Sequence, residues 1–133
     1  MDKIIRNIKI DSETEIKKEW IITNGLGGYA SGTLGCVPTR RYHGYLVAAL
    51  PAPLGRIIML NNLIEQVCLS GELSSKKTKT MTLAGSQQEE YLSSRNKTYL
   101  SEFRLENGLP VWKFTIRDTV LEKKLIMPHM QNT

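Results

Sequence analysis

The chain has 133 residues, which suits one domain with a core of its own, and it carries a net charge of +5. That charge makes nucleic acid a partner class to consider, but the basic residues are scattered rather than gathered in a stripe, so no nucleic-acid binding is predicted. No apolar run approaches the roughly 20 residues of a membrane span, and charges interrupt the N-terminal apolar residues, so neither a membrane protein nor a secretory signal is predicted.

The cysteines and histidines give no sign of a cofactor. Cys36 and Cys68 lie far apart without a CxxC pattern, which favours two reduced core thiols of a cytosolic protein over a disulfide. His43 and His129 are too few for a zinc-type cluster. We therefore predict no metal, no cofactor and a cytoplasmic protein.

Residues 1–18 are expected to be a lead-in to the domain. Their one helix signal is the capping-box pattern SETE at 12–15, which precedes no sustained 3.6-residue apolar period. From residue 19 onward the chain has the pattern of β-structure. Strands are predicted at 19–23, at 42–50, as two runs within 56–70 around Asn61-Asn62, and at 79–83, followed by a long polar loop over 84–98.

The last part of the chain predicts a three-strand meander. Asn107-Gly108 supplies the first turn and Arg117-Asp118 the second. Between these turns the residues alternate, so that one face is apolar (Trp112, Phe114, Ile116) and the other is wet (Val111, Lys113, Thr115, Arg117). Many short strands joined by turns predict an all-β fold, an antiparallel β-sandwich.

The glycine-rich stretch after the first predicted strand is not a dinucleotide site. Residues 25–30 match G-x-G-x-x-A, but that fold needs a helix to begin here. Gly32, Gly35 and Pro38 follow, and a helix would lose about 1 kcal/mol at each glycine and about 3 at the proline. A helix is therefore excluded, and with it the pyrophosphate cradle.

A P-loop is excluded as well. Gly27 and Gly32 have the required spacing, but Thr33-Leu34 stands where Lys-Ser/Thr is needed. A tight irregular turn between sheets remains as the structural interpretation. Sugar recognition is the functional one, since aromatic rings stack on pyranose faces and guanidinium groups bond hydroxyls. Both side-chain types flank the glycines: Trp20, Tyr29, Arg40, Arg41, Tyr42 and His43.

At these residues the sequence resembles a known family. EWIITNGLGGYASGT, from residue 19, and TRRYHGYLVAALPAPLGR, from residue 39, are similar to the N-terminal domain of bacterial and archaeal glycogen-debranching enzymes of the amylo-α-1,6-glucosidase type. The resemblance covers residues 19–70 and 98–133.

The resemblance implies a domain at 19–133 that is an incomplete glucoamylase-like β-sandwich. In that family an (α/α)6 barrel carries the catalytic carboxylates and hydrolyses the α-1,6-linked glucose of a trimmed branch point. We expect such a barrel from a further segment or a partner chain, glycogen or an α-glucan as the substrate of the full enzyme, and no activity from this chain alone.

The candidate site residues are interpreted through the same resemblance. The basic segment, Arg40 to His43, has two interpretations. Structurally it is a surface turn that sets where the next strand begins, and functionally it contacts the barrel's sugar pocket. For His43 a structural role has at least equal weight. Asn24 is expected to cap the glycine loop through an Asx-type bond, as is Ser31. The predicted substrate-binding or domain-interface residues are Asn24, Gly27, Gly28, Tyr29, Arg40, Arg41, Tyr42 and His43.

Two carboxylates invite a catalytic reading, Glu19 beside Trp20 and Glu102 within YLSEFRLE. On strand-like runs such charges more often face solvent or pair with arginine, so no catalytic residue is assigned here.

Two rival functions and one assembly remain open. A stand-alone carbohydrate-binding module would need exposed aromatics on one face, and a basic nucleic-acid domain would need a continuous Lys/Arg stripe. A homodimer is expected through the last strand or the glycine-loop face. Along the last strand, Leu121, Leu125 and Met127 form an apolar row that Lys123 interrupts.

Overall fold

The computed structural model describes residues 5–11, 13–69, 79–85 and 99–131. In this part no helix is long and apolar enough to cross a membrane. The elements are β1 Ile5–Ile8, α1 Thr14–Lys17, β2 Glu19–Thr23, β3 Tyr29–Thr33, β4 Gly44–Leu50, β5 Gly55–Leu60, β6 Glu65–Leu69, β7 Lys79–Ala84, β8 Leu100–Glu106, β9 Leu109–Ile116 and β10 Thr119–Lys124.

The strands form two antiparallel four-stranded sheets and one hairpin. The first sheet has the order β1-β8-β9-β10, the second has the order β2-β3-β4-β5, and β6 pairs with β7 separately. Side chains from both four-stranded sheets share one buried apolar cluster. This confirms the prediction of an all-β, sandwich-like domain. The meander is confirmed too, with its first turn at Asn107 and Gly108, which have φ of 51° and 82°.

Two tryptophans join the sheets. The ring of Trp20 on β2 meets that of Trp112 on β9 edge to face, with centroids 5.3 Å apart, and Phe103 packs on Trp112 at the same distance. Each buried indole N–H is satisfied by a carbonyl: Trp20 donates to Thr33 at 2.9 Å and Trp112 to Leu34 at 2.7 Å. The core therefore lies between the sheets, beneath the glycine-rich stretch.

The alternation predicted for β9 is correct except at one residue. The side chains of Trp112, Phe114 and Ile116 are buried, but so is that of Val111, which was predicted to face water. In register, Val111 lies between Arg104 of β8 and Lys124 of β10. Directly opposite residues of neighbouring strands share a face, and the aliphatic stems of long charged side chains can bury an apolar neighbour there.

Two strands were missed in the sequence. β1 falls within the expected lead-in, where its residues pair with β8 across nearly the whole chain, from Ile5 opposite Glu106 to Ile8 opposite Phe103. β3 lies inside the glycine stretch that was interpreted as a turn, and it pairs with both β2 and β4. The strand predicted at 42–50 begins only at Gly44, because a turn precedes it.

A carboxylate that precedes the short helix α1 binds the backbone at its start. Asp11 accepts hydrogen bonds at Oδ1 from the backbone N–H groups of Glu13 (3.0 Å) and Thr14 (2.8 Å). Ser12, which begins the predicted capping box, lies outside the described residues, so the box itself stays a prediction.

The two cysteines differ in their surroundings, and the long polar loop lies mostly outside the described residues. Both cysteines are free; Cys36 is buried, but Cys68 is exposed on β6, so the prediction of two core thiols is wrong for Cys68. Of the loop predicted at 84–98, Ala84 ends β7, and residues 86–98 lie outside the described part of the chain.

Candidate functional site

The basic turn, Arg40 to His43, is folded around the buried imidazole of His43, which is 4 % exposed. Its Nδ1 accepts hydrogen bonds from the backbone N–H groups of Thr39 (3.1 Å) and Arg40 (3.3 Å), and its own backbone N–H donates to the Arg40 carbonyl at 3.1 Å. Because Nδ1 is an acceptor, the neutral ring carries its proton on Nε2. His43 is thus placed to hold the turn rather than to meet a ligand.

Glu19 at the start of β2 anchors the same turn. One of its carboxylate oxygens accepts a short hydrogen bond from Nε of Arg40 and lies 3.4 Å from Nε2 of His43. This confirms the interpretation of Glu19 as a partner of arginine. The carboxylate thus holds the arginine at one end of the turn and lies close to the histidine at the other, whose Nε2 makes no hydrogen bond within the described residues.

Burial lowers the pKa of His43 below its ordinary value, while the carboxylate of Glu19 opposes the shift. The folded state therefore favours neutral imidazole, and the unfolded chain takes up the proton first as the pH falls. The stability that neutral His43 contributes is fully present above the unfolded pKa of about 6.5 and declines as the pH falls below it.

We therefore expect the midpoint of urea unfolding to fall more steeply for the natural chain than for His43→Asn when the pH is lowered from 7.5 to 5.5. The asparagine carbonyl can accept the backbone bonds of Nδ1 but does not titrate. In the free energy of unfolding obtained from these curves, the slopes of the two proteins against pH should differ by at most about 1.4 kcal/mol per pH unit. Parallel pH profiles for the two proteins would rule out His43 as the titrating group.

Arg41 and Tyr42 project outward from this fixed backbone. Both are exposed, and Tyr42 is 66 % exposed. The Tyr42 carbonyl accepts bonds from the Tyr29 hydroxyl (3.3 Å) and from Oγ of Ser31 (3.4 Å), so the backbone of the turn is tied to β3. An aromatic ring and a guanidinium group on a rigid support can stack on a sugar face and bond its hydroxyls.

Asn24 closes the glycine loop, as predicted. Its Oδ1 accepts hydrogen bonds from the backbone N–H groups of Leu26 (2.9 Å) and Gly28 (3.0 Å), which is an Asx-type arrangement. A side chain at Gly28 would come within 2.7 Å of the Asn24 amide nitrogen, so this close approach needs glycine. Ser31 does not cap the loop, since it lies within β3.

The C-terminal segment lies against the loop, a contact that no local pattern predicted. Nδ2 of Asn24 donates to the Gln131 carbonyl at 2.7 Å, and the Met130 N–H donates to the Asn24 carbonyl at 2.6 Å. The His129 ring lies over Gly25, where a Cβ would approach it to 2.4 Å. Of the loop residues singled out in the sequence, Gly27 is exposed, Tyr29 is half-buried, and Asn24 and Gly28 are buried.

A small cavity lies between the basic turn and the core. It is lined by residues including Trp20, Cys36, His43, Tyr45 and Asn62, and it has room for about one water molecule. A glucose unit does not fit there. Any sugar contact of this region must therefore use the outer side of the turn, where Arg41 and Tyr42 lie.

Glu102, the other weighed carboxylate, also pairs with arginine. It lies 3.3 Å from Arg104, whose guanidinium also bonds Glu106 at 2.8 Å and Glu122 at 2.7 Å. The hydrogen bonds that Arg104 donates to the carboxylates of Glu122 and Glu106 raise its pKa. This network lies on β8 and β10 of the first sheet, away from the basic turn on the second.

The cluster that the sequence missed surrounds Lys123. Its Nζ lies 3.1 Å from the Tyr45 hydroxyl, 2.9 Å from Glu65, 3.5 Å from the Cys36 sulfur and 4.6 Å from the ring centroid of Trp112. Burial raises the pKa values of Cys36 and Tyr45. The predicted row of Leu121, Leu125 and Met127 packs against the core, and Lys123 belongs to the same inward side.

Among the described residues no group of His, Cys, Asp or Glu side chains could hold a metal ion.

Comparison with known protein families gives one match. The family described as "Glycogen debranching enzyme N terminal" matches residues 18–133, which is most of the chain and includes the basic turn and the Lys123 cluster. No curated protein and no solved structure matches the chain significantly.

Proposed function

This chain belongs to the glycogen debranching enzyme N-terminal family, and we propose that it is the non-catalytic β-sandwich domain of an enzyme that removes α-1,6-linked glucose at glycogen branch points. The observation that carries the proposal is the basic turn, in which Glu19 and His43 hold the backbone while Tyr42 remains 66 % exposed. The catalytic acid and base belong to a C-terminal (α/α)6 barrel, in the same chain or as a separate one.

In this proposal the outer side of the turn helps to shape the barrel's substrate site. Arg41 is exposed, and in the described part of the chain no carboxylate pairs with it. A planar guanidinium can bond two hydroxyls of a glucan, or a carboxylate of the barrel, at once. Tyr42 offers an apolar ring face at little entropic cost, since its backbone is already held by Tyr29 and Ser31.

The rival functions gain less from the structure. A stand-alone glucan-binding module needs several exposed rings, whereas among the described residues Tyr42 is the one Phe, Tyr or Trp side chain that is exposed. A nucleic-acid surface is disfavoured because several cations already have partners within the chain. Each of four cations is paired with a carboxylate: Arg40, Arg104, Lys123 and Lys124. The densest basic group in the sequence, 74–80, lies mostly outside the described residues.

Alanine at Arg41 or Tyr42 in the debranching enzyme that carries this domain should lower kcat/KM for a branch-trimmed limit dextrin by about 10–100-fold, since about 1.4 kcal/mol is tenfold. The melting temperature should stay nearly unchanged, because both side chains are exposed.

Lys17→Ala is the matched control, an exposed cation on α1 with 66 % of its side chain accessible, and it should leave the kinetics unchanged. If either turn variant lowers the melting temperature and leaves kcat/KM intact, the turn serves only the fold and the proposed sugar-site role is lost.

A further inference from the structure

The two ring nitrogens of His43, the buried imidazole of the basic turn, have unequal surroundings. Nδ1 accepts two backbone hydrogen bonds, from the N–H groups of Thr39 (3.1 Å) and Arg40 (3.3 Å). Nε2 is buried and has no hydrogen-bond partner in the described part of the chain, although an oxygen of Glu19 lies 3.4 Å away. A neutral ring that carries its proton on Nε2 fits this arrangement.

A second proton on the ring has no place in this arrangement. It would bind Nδ1, where two backbone N–H groups already point their hydrogens. A protonated imidazole is a donor at both nitrogens and an acceptor at neither, so both backbone groups would lose their acceptor. His43 can therefore become a cation only if the ring moves or the backbone at Thr39 and Arg40 turns away from it.

The turn can yield to this change without unfolding the domain, because it lies at the surface. Arg40, Arg41 and Tyr42 are exposed. The bonds that tie the Tyr42 carbonyl to β3 come from two side-chain hydroxyls, those of Tyr29 (3.3 Å) and Ser31 (3.4 Å). Both distances are longer than usual for a hydroxyl donor. Loss of the two bonds to the ring is therefore a local event.

The groups around the ring place this change at mildly acidic pH. Among the residues that the structure describes, Glu19 of β2 and Arg40 of the turn are the charged groups that act on the imidazole. Cys36 and Tyr45 line the same cavity as His43, and burial raises the pKa of both, so they stay neutral in this range. Burial of the ring outweighs the attraction of Glu19 and lowers the pKa of His43 below its ordinary value of about 6.5.

We infer that His43 is a positioning residue for the proposed sugar contact, and that its protonation releases the basic turn and weakens the binding of glucan. The neutral ring holds the backbone that carries Arg41 and Tyr42, whereas the cationic ring leaves both side chains without a pre-organised support. The Glu19 oxygen nearest the ring is also the one that Arg40 uses, so a cationic ring competes for it. This inference rests on the proposed function, in which Arg41 and Tyr42 contact the substrate.

Steady-state kinetics of the debranching enzyme that carries this domain, on a branch-trimmed limit dextrin, test the inference. From pH about 7.5 to about 5, KM of the natural enzyme should rise about tenfold, while kcat follows the acid and base of the barrel. His43→Asn should lack the rise, because its carbonyl can accept the backbone bonds but does not titrate. His129→Asn is the matched control: it removes the other histidine, which is exposed, and should keep the rise.

Nuclear magnetic resonance of the 133-residue chain follows the turn itself and needs no variant. The backbone amide signals of Thr39 and Arg40 should shift with pH at the same midpoint as the ring carbons of His43, below about 6.5. The indole N–H signals of Trp20 and Trp112 should stay in place, because their bonds to carbonyls lie in the core. Amides that ignore the titration of the ring, or indole signals that are lost with it, would contradict a local release.

The outcomes separate this inference from the function on which it rests. If Arg41→Ala or Tyr42→Ala lowers kcat/KM, but KM has the same pH profile in the natural enzyme and in His43→Asn, the sugar contact stands and the inference is overturned. If neither alanine variant changes kcat/KM, the sugar contact fails and the inference fails with it. A rise in KM that His129→Asn keeps and His43→Asn lacks supports both.

Discussion

Replacing Lys123 with alanine should lower the free energy of unfolding by about 3 kcal/mol, because a half-buried ion pair loses one partner together with its contacts to Tyr45 and Trp112. The corresponding fall in Tm is about 10 °C for a domain of this size. The ammonium group contacts both carboxylate oxygens of Glu65, the hydroxyl of Tyr45 and the ring of Trp112. Lys123 thereby ties β10 of the first sheet to β4 of the second and to the β6–β7 hairpin.

Two further variants separate charge from packing. Lys123→Met keeps an apolar stem over Trp112 but leaves Glu65 unpaired; adding Glu65→Gln should recover part of the loss. Lys17→Ala is the control, since its pair with Glu13 is exposed and should contribute no more than about 0.5 kcal/mol. Urea unfolding monitored by tryptophan fluorescence measures all four. A loss for Lys123→Ala no larger than that for Lys17→Ala would contradict a structural role for this cation.

Local patterns predicted the elements whose partners are close in sequence. The meander β8–β9–β10 follows from alternation and from turns such as Asn107-Gly108, because hairpin register is set by neighbouring residues. β1 could not be predicted in the same way. Its four residues pair with β8, about a hundred positions away, and charged neighbours hide their apolar pattern.

The glycine stretch shows a different limit. Gly32 was interpreted as part of a turn, but it lies in β3 beneath the ring of Trp20, where a Cβ would approach the indole to 3.2 Å. This glycine allows close packing rather than a reversal of the chain. Composition alone does not distinguish these two uses of glycine.

The candidate site was partly predictable. The Asx bonds of Asn24 and the pairing of Glu19 with arginine follow from the residue types and their local context. Lys123 was treated as an interruption of an apolar row, because its partners Tyr45 and Glu65 come from distant elements. Only tertiary contacts could show that a lysine belongs to the core.

The chain alone should release no glucose from a branch-trimmed limit dextrin. Glu19 and Glu102 each precede a core residue, Trp20 and Phe103, on strands of different sheets. Successive side chains on a strand point to opposite faces, so the two carboxylates project from the two outer sides of the sandwich. Packed sheets are about 10 Å apart, whereas the two carboxyl groups of a glycosidase lie about 5–9.5 Å apart across the scissile bond.

The most direct test of the proposed non-catalytic role is to measure glucose release by the whole 133-residue chain. The comparison is with a buffer blank and with the Glu19→Gln and Glu102→Gln variants. We predict no release above the blank for any of the three proteins. Release by the natural chain that either substitution abolishes would place catalysis within the sandwich and contradict its assignment as a non-catalytic domain.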